Sequence, residues 1–196
     1  MATILAPEKA SLLTYQAYLS EGEVAGRYDI VEGERIPMAS PSWEHQEIMG
    51  NIYDKFRGYQ KAKNNGRGLM APFDILIRRF PRLQVRQPDV FYISNTRLMQ
   101  VGGRPRSGPL EVAPELVVEI ISESETEERV ASKIRDYIAI GVLECWKVYP
   151  DTRRVEVLEL TLQGANLVAT YTENQVVVSL SFPDLTLSLT DIFALD

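Results

Sequence analysis

A chain of 196 residues that is 45% hydrophobic can bury one sizeable core; it is long for one domain and short for two, and reads as a single domain over 1–196. Its net charge of −6, from 27 acidic and 21 basic residues, disfavours broad, sequence-independent gripping of phosphates. The single cysteine, Cys145, excludes an intrachain disulfide, and no apolar run approaches the roughly 20 residues needed to span a bilayer, so a cytoplasmic protein without a membrane partner is expected.

In chain order, 7–19 predicts a short helix ended by Ser20-Glu21-Gly22. A hairpin follows, in which 28–31 and 35–38 flank Glu32-Gly33-Glu34; the glycine supplies the turn and Pro37 argues for a sheet edge. Ile48, Met49, Ile52, Tyr53, Phe56 and Tyr59 then recur along one face of a long helix, capped by Ser40 or Ser42 and stopped at Asn64-Asn65-Gly66. Strands are expected over 69–77, 85–93 and 116–121, with a glycine- and proline-rich loop at 101–109.

The acidic stretch 123–128 opens a second amphipathic helix, its negative charge complementing the helix dipole. Val130, Ile134, Tyr137, Ile138 and Ile140 form its apolar stripe, and Gly141 ends it. The strand at 144–149, which holds Cys145 as a buried and unreactive thiol, should run parallel to the 116–121 strand, as strand-helix-strand crossovers do. Runs at 155–160, 167–171 and 176–180 predict an antiparallel β extension, and a short helix at 191–195 closes the chain. The fold class is α/β: a mixed sheet flanked by helices, with that extension at its C-terminal end.

Chemistry concentrates at two acids. Glu119 interrupts the apolar run Leu116-Val117-Val118-Glu119-Ile120-Ile121, where an uncompensated carboxylate is costly, and Asp89 heads another apolar strand straight after Pro88. Two acids on neighbouring buried strands suit a hard divalent ion, Mg2+ or alternatively Mn2+, with the Ile120 carbonyl as a third protein ligand. A cation near that ion would stabilise charge developing on a phosphoryl group. Strand alternation puts Ile121 where such a lysine would be useful, and isoleucine cannot serve; Lys133, two turns into the following helix, has a stem long enough to reach back. His45, the only histidine, has either a structural role or an approach to the metal pocket, and Glu34 and Glu47 are lesser candidates. Gly66-x-Gly68 and Gly102-Gly103 lack the strand-to-helix phosphate pattern and read as turns.

Positive charge is local. Arg78, Arg79, Arg82 and Arg86 crowd the segment before Asp89, while Lys55, Arg57, Lys61, Lys63 and Arg67 lie on or after the long helix. These are read either as solvated faces or as a compact anion groove.

Five motifs in order carry a family resemblance: Tyr28-Asp29-Ile30-Val31-Glu32-Gly33-Glu34, Pro41-Ser42-x-x-His45-x-x-Ile48, Gln87-Pro88-Asp89-Val90, Pro114-Glu115-Leu116-Val117-Val118-Glu119-Ile120-Ile121-Ser122, and Lys133-x-x-x-Tyr137-x-x-x-Gly141-Val142-x-Glu144-x-Trp146. Together they resemble the Uma-two family of restriction-endonuclease-like proteins of cyanobacterial type, a branch of the PD-(D/E)xK nuclease superfamily, from about Tyr28 to Phe193. The resemblance implies that Asp89 and Glu119 bind magnesium and that Lys133 completes the site from a helix instead of the strand. The leading expectation is a DNA endonuclease, suited to acting as a homodimer. The alternatives are a catalytically silent nuclease fold kept for binding or assembly, and a structural homodimer built on the Val176-Val177-Val178 run.

Overall fold

The computed structural model describes residues 12–22, 24–122 and 125–195. Its first helix, α1 (Tyr15–Glu21), is capped by Thr14, whose hydroxyl accepts the Ala17 N–H; the predicted helix 7–19 starts later than expected, and 7–11 lie outside the described residues. Strands β1 (Tyr28–Val31) and β2 (Glu34–Pro37) form the expected hairpin. Glu32 and Gly33 both turn at positive φ, the geometry that suits a two-residue hairpin loop. As Pro37 suggested, β2 lies on a sheet edge.

Helix α2 (Trp43–Lys63) is capped by Ser42, not Ser40, and ends on Asn64 in the left-handed conformation. It is followed by β3 (Gly66–Met70) and β4 (Ile75–Arg78), so the single strand expected over 69–77 is two. Pro72 lacks an N–H and cannot continue a ladder. The strand expected over 85–93 divides likewise into β5 (Gln84–Arg86) and β6 (Val90–Ser94), which belong to different sheets. The connector Gln87-Pro88-Asp89 carries the chain from one sheet to the other.

The smaller sheet has the order β2-β1-β5-β4 and is antiparallel. After α3 (Asn95–Gln100) and the 101–109 loop, β7 (Leu116–Ile120) enters the centre of the larger sheet. Helix α4 (Glu127–Ile140) crosses over to β8 (Glu144–Tyr149), and these two strands pair in parallel as predicted. Thr126 caps α4, which therefore begins within the acidic stretch and not at its start; Glu123 and Ser124 lie outside the described residues. Strands β9 (Arg154–Thr161) and β10 (Gly164–Tyr171) extend the sheet antiparallel, giving the order β10-β9-β8-β7-β6-β3. The run expected to join that extension, β11 (Val176–Val178), instead pairs with β12 (Thr186–Ser188) as a separate two-stranded ribbon, and α5 (Leu189–Ile192) follows.

Alternation along the large sheet builds two cores. Val90, Tyr92, Val118, Ile120 and Trp146 pack under the Ile48, Ile52 and Phe56 stripe of α2; Phe91, Ile93, Val117 and Cys145 pack with Tyr137 of α4. Burial drives the Cys145 thiol pKa upward, so it remains an unionised core residue. Beside the first core, the fully buried Glu144 carboxylate accepts Trp146 Nε1–H at 2.6 Å, the Ser179 hydroxyl at 2.7 Å, and the N–H groups of Leu180 and Ser181 at 3.0 and 2.9 Å.

Gly66 and Gly68 are not turn residues: both are buried within β3, which lies close against its neighbours. A Cβ on Gly66 would stand 2.4 Å from the Ile93 carbonyl oxygen, which is backbone and cannot move aside. Gly66→Ala is expected to lower stability by about 1–3 kcal/mol, read as a lower urea midpoint at unchanged slope.

Candidate functional site

Asp89 precedes β6 by one residue, and the β6–β7 register, with Val90 opposite Val118, sets it across from Glu119. Because Asp89 lies in the connector, its side chain reaches the end of β7: Oδ2 accepts the Ile120 N–H at 2.7 Å. Oδ1 is 2.8 Å from Arg27 Nη2 and 3.1 Å from His45 Nε2, which as the partner of a carboxylate acts as donor. His45 is presented by the first turn of α2, directly after the Ser42 cap. Burial opposes ionisation of Asp89, yet the His45 hydrogen bond, the charges of His45 and Arg27, and the Ile120 amide together hold its pKa below the ordinary value.

Glu119 turns to the α4 face. Its Oε2 meets Lys133 Nζ at 2.7 Å and its Oε1 accepts the Tyr137 hydroxyl, so residues one turn apart on α4 satisfy both oxygens. Lys133 Nζ also lies 2.9 Å from Glu125 Oε1 and is only 6% exposed. Burial raises the Glu119 pKa; Lys133 draws it down, while Asp89 and Glu125 repel the charge, and the carboxyl is pushed up to about 7. Lys133, penalised by burial but facing Glu119, Glu125 and Asp29, is held protonated above its ordinary range.

The placement of α4 depends on a second buried network. Arg86 Nη1 binds Asp29 Oδ2 at 2.8 Å, its Nε binds Asp136 Oδ2 at 2.7 Å, and its Nη2 donates to Ser132 Oγ at 2.9 Å. Ser132 and Asp136 flank Lys133 on α4, so the small sheet fastens the helix on either side of the lysine.

These groups border a cleft of about 490 Å³ whose walls include Arg27, His45, Asp89, Glu125, Arg129 and Lys133. Glu119 is 1% exposed and contributes no wall, whereas Lys133, bonded to it, does. Among the described residues, no group of three or more His, Cys, Asp or Glu side chains is arranged to hold a metal ion. The donor set expected from the sequence is smaller, two carboxylates and the Ile120 carbonyl. Its chemistry fits a hard divalent ion: the oxygens are of the right type, and the repulsion among Asp89, Glu119 and Glu125 is what such an ion would relieve.

A model of the Uma2 family, described as putative restriction endonucleases, matches residues 14–190. The chain belongs to the Uma2 family. The family expected from the five motifs is thus the one found, and its match begins before Tyr28. Among solved structures, the fold is similar to the crystal structure of a putative nuclease belonging to DUF820 from Anabaena variabilis ATCC 29413, at 21% identity and a TM-score of 0.73, over 92% of this chain and 97% of that one. No curated protein matches the chain.

Set in this Uma2 fold, the lesser candidates separate. Glu34 is exposed and lines a different cavity, and Glu47 is not on the cleft wall; Glu44, one position after exposed Trp43, is. Of the arginines ahead of Asp89, Arg78 pairs with Glu32, Arg79 with Glu111, and Arg86 with Asp29 and Asp136, while Arg82 is exposed. Sequence reasoning misses Arg27, which stands in a turn-rich lead-in without any pattern, and the hydroxyl of Tyr137, since helical spacing registers that residue only as part of an apolar stripe. Among the described residues, no helix is long and apolar enough to cross a membrane.

Since Glu125 helps to hold the Glu119 pKa up, Glu125→Gln should move the Glu119 midpoint below about 7 in a carboxyl 13C NMR titration. The folded state binds this proton more tightly than the unfolded state, whose value is near 4.5, so Glu119 makes stability fall as pH rises from about 4.5 to about 7. Urea unfolding across that window should show a shallower fall in the variant.

Proposed function

We propose that this chain is a magnesium-dependent endonuclease that hydrolyses DNA phosphodiester bonds, with manganese able to substitute. The observation that carries this reading is the Lys133 ammonium: buried, bonded to Glu119, and forming the wall of the cleft that Asp89 also lines. Asp89, Glu119 and the Ile120 carbonyl would hold the ion. When bound, a divalent ion supplies Lewis acidity toward the phosphoryl group and lowers the pKa of water.

The remaining work falls to side chains of the chain itself. Arg27 and Arg129 line the cleft beside Asp89 and Glu125 and offset the repulsion those carboxylates would exert on a phosphodiester. Lys133 stabilises negative charge as it develops on the phosphoryl oxygens. His45 orients Asp89 and keeps it ionised. Two such clefts in a homodimer would suit cutting both strands of a duplex.

A second reading, a catalytically silent binding module, is favoured by the partners that already engage both Asp89 oxygens. Nicking of supercoiled plasmid with Mg2+ or Mn2+ separates the two. Lys133→Ala should reduce cleavage by roughly a hundredfold or more while preserving magnesium binding by calorimetry. Asp89→Asn and Glu119→Gln should lose both, each with a cooperative thermal transition retained. Wild-type protein that binds no divalent ion and leaves plasmid intact would support the silent module.

A further inference from the structure

A second cavity, of about 560 Å³, opens beside β3, the edge strand of the large sheet. Arg57 and Lys61 of α2, Arg67 of β3 and Arg104 of the 101–109 loop line it, and among the described residues no carboxylate does. That is unexpected in a chain whose acids outnumber its bases 27 to 21, and in which the half-buried Arg27, Arg35 and Arg97 find acidic partners. Here Arg57 donates to the Gln60 side-chain oxygen at 2.9 Å and Arg67 to the Gly66 carbonyl at 2.6 Å, both neutral acceptors. Among the described residues, none of the four cations makes an ion pair.

The inner wall is apolar. Leu69, Phe73, Leu98 and Leu110 contribute it, with the Phe73 ring braced edge-on against Phe91 at 5.7 Å. A track for duplex phosphates alone has no use for such a floor, since phosphate contacts are made by cationic and polar groups. A concave apolar floor beneath a cationic rim suits a ligand with a flat ring at one end and several negative charges at the other, and the volume is that of a small-molecule site. We propose that this cavity binds a nucleotide, its base against Leu69 and Phe73 and its phosphates held by Arg57, Lys61, Arg67 and Arg104.

The site is separate from the cleft. Among the described residues none lines both, and α2 rises about 24 Å between His45 and Lys61. The proposal needs neither a metal nor Lys133, so it stands or falls independently of the nuclease reading.

Calorimetric titration of the full chain with ADP, adenosine, inorganic phosphate and a 5′-phosphorylated hexadeoxynucleotide tests it. One saturable ADP site is expected, with adenosine and phosphate each far weaker because each uses only one half of the cavity. The Lys61→Ala/Arg104→Ala double variant changes two exposed side chains and should weaken binding by roughly tenfold or more, while Asp89→Asn binds as wild type. ADP binding identifies a free nucleotide as the occupant; hexanucleotide binding with ADP silent, and with the same dependence on Lys61 and Arg104, assigns the cavity to the terminal nucleotide of a strand. Binding of neither, phosphate binding as tightly as ADP, loss of binding in Asp89→Asn, or an unaffected double variant would overturn the proposal.

Discussion

The Lys133–Glu119 ion pair is the contact on which the site depends. A carboxylate at the end of a buried strand demands compensation, and the residues two positions away on the same face, Val117 and Ile121, are apolar. Compensation therefore comes from α4, and with it the geometry of the site ceases to be a property of one strand. It becomes a property of how a helix sits on a sheet. Asp89 meets the same demand from the opposite layer, through Arg27 ahead of the hairpin and His45 at the start of α2. The two acids thus tie the small sheet, both principal helices and the large sheet to one end of the molecule.

Arg86 extends that logic. Breaking a fully buried pair by removing one partner commonly costs about 3–5 kcal/mol; that pair, Arg86–Asp29, lies within the small sheet, and the same guanidinium reaches Asp136 and Ser132 to fasten the sheet to α4. Where Ser132 and Asp136 are held, Lys133 has little freedom to swing away from Glu119. The stability of the small sheet and the position of the ammonium are therefore one problem.

Much of this was legible in the sequence. Glu119 announced itself as a charge inside an apolar run, the stripes of α2 and α4 had clear helical spacing, and the crossover through α4 dictated the parallel β7–β8 pair. The change of sheet at Gln87-Pro88-Asp89 was not legible, because Pro88 between two short strands marks a break in the ladder without saying that the flanking strands join different sheets. Nor was the role of Gly66 and Gly68, since a glycine required by close packing looks in sequence like a glycine required by a turn. Arg27 and Glu125 depend on contacts between distant segments, and nothing local distinguishes them from solvated charges.

Glu144 carries a different lesson. Its carboxylate lies in the core, and its partners are the Trp146 indole and donors from Ser179, Leu180 and Ser181. Those three residues follow β11, far along the chain from the strand they serve. Cutting the chain after Val178 would strip the buried Glu144 carboxylate of the Ser179, Leu180 and Ser181 donors and leave it the Trp146 indole, so the final ribbon is an internal lid for a charge and not a dispensable tail.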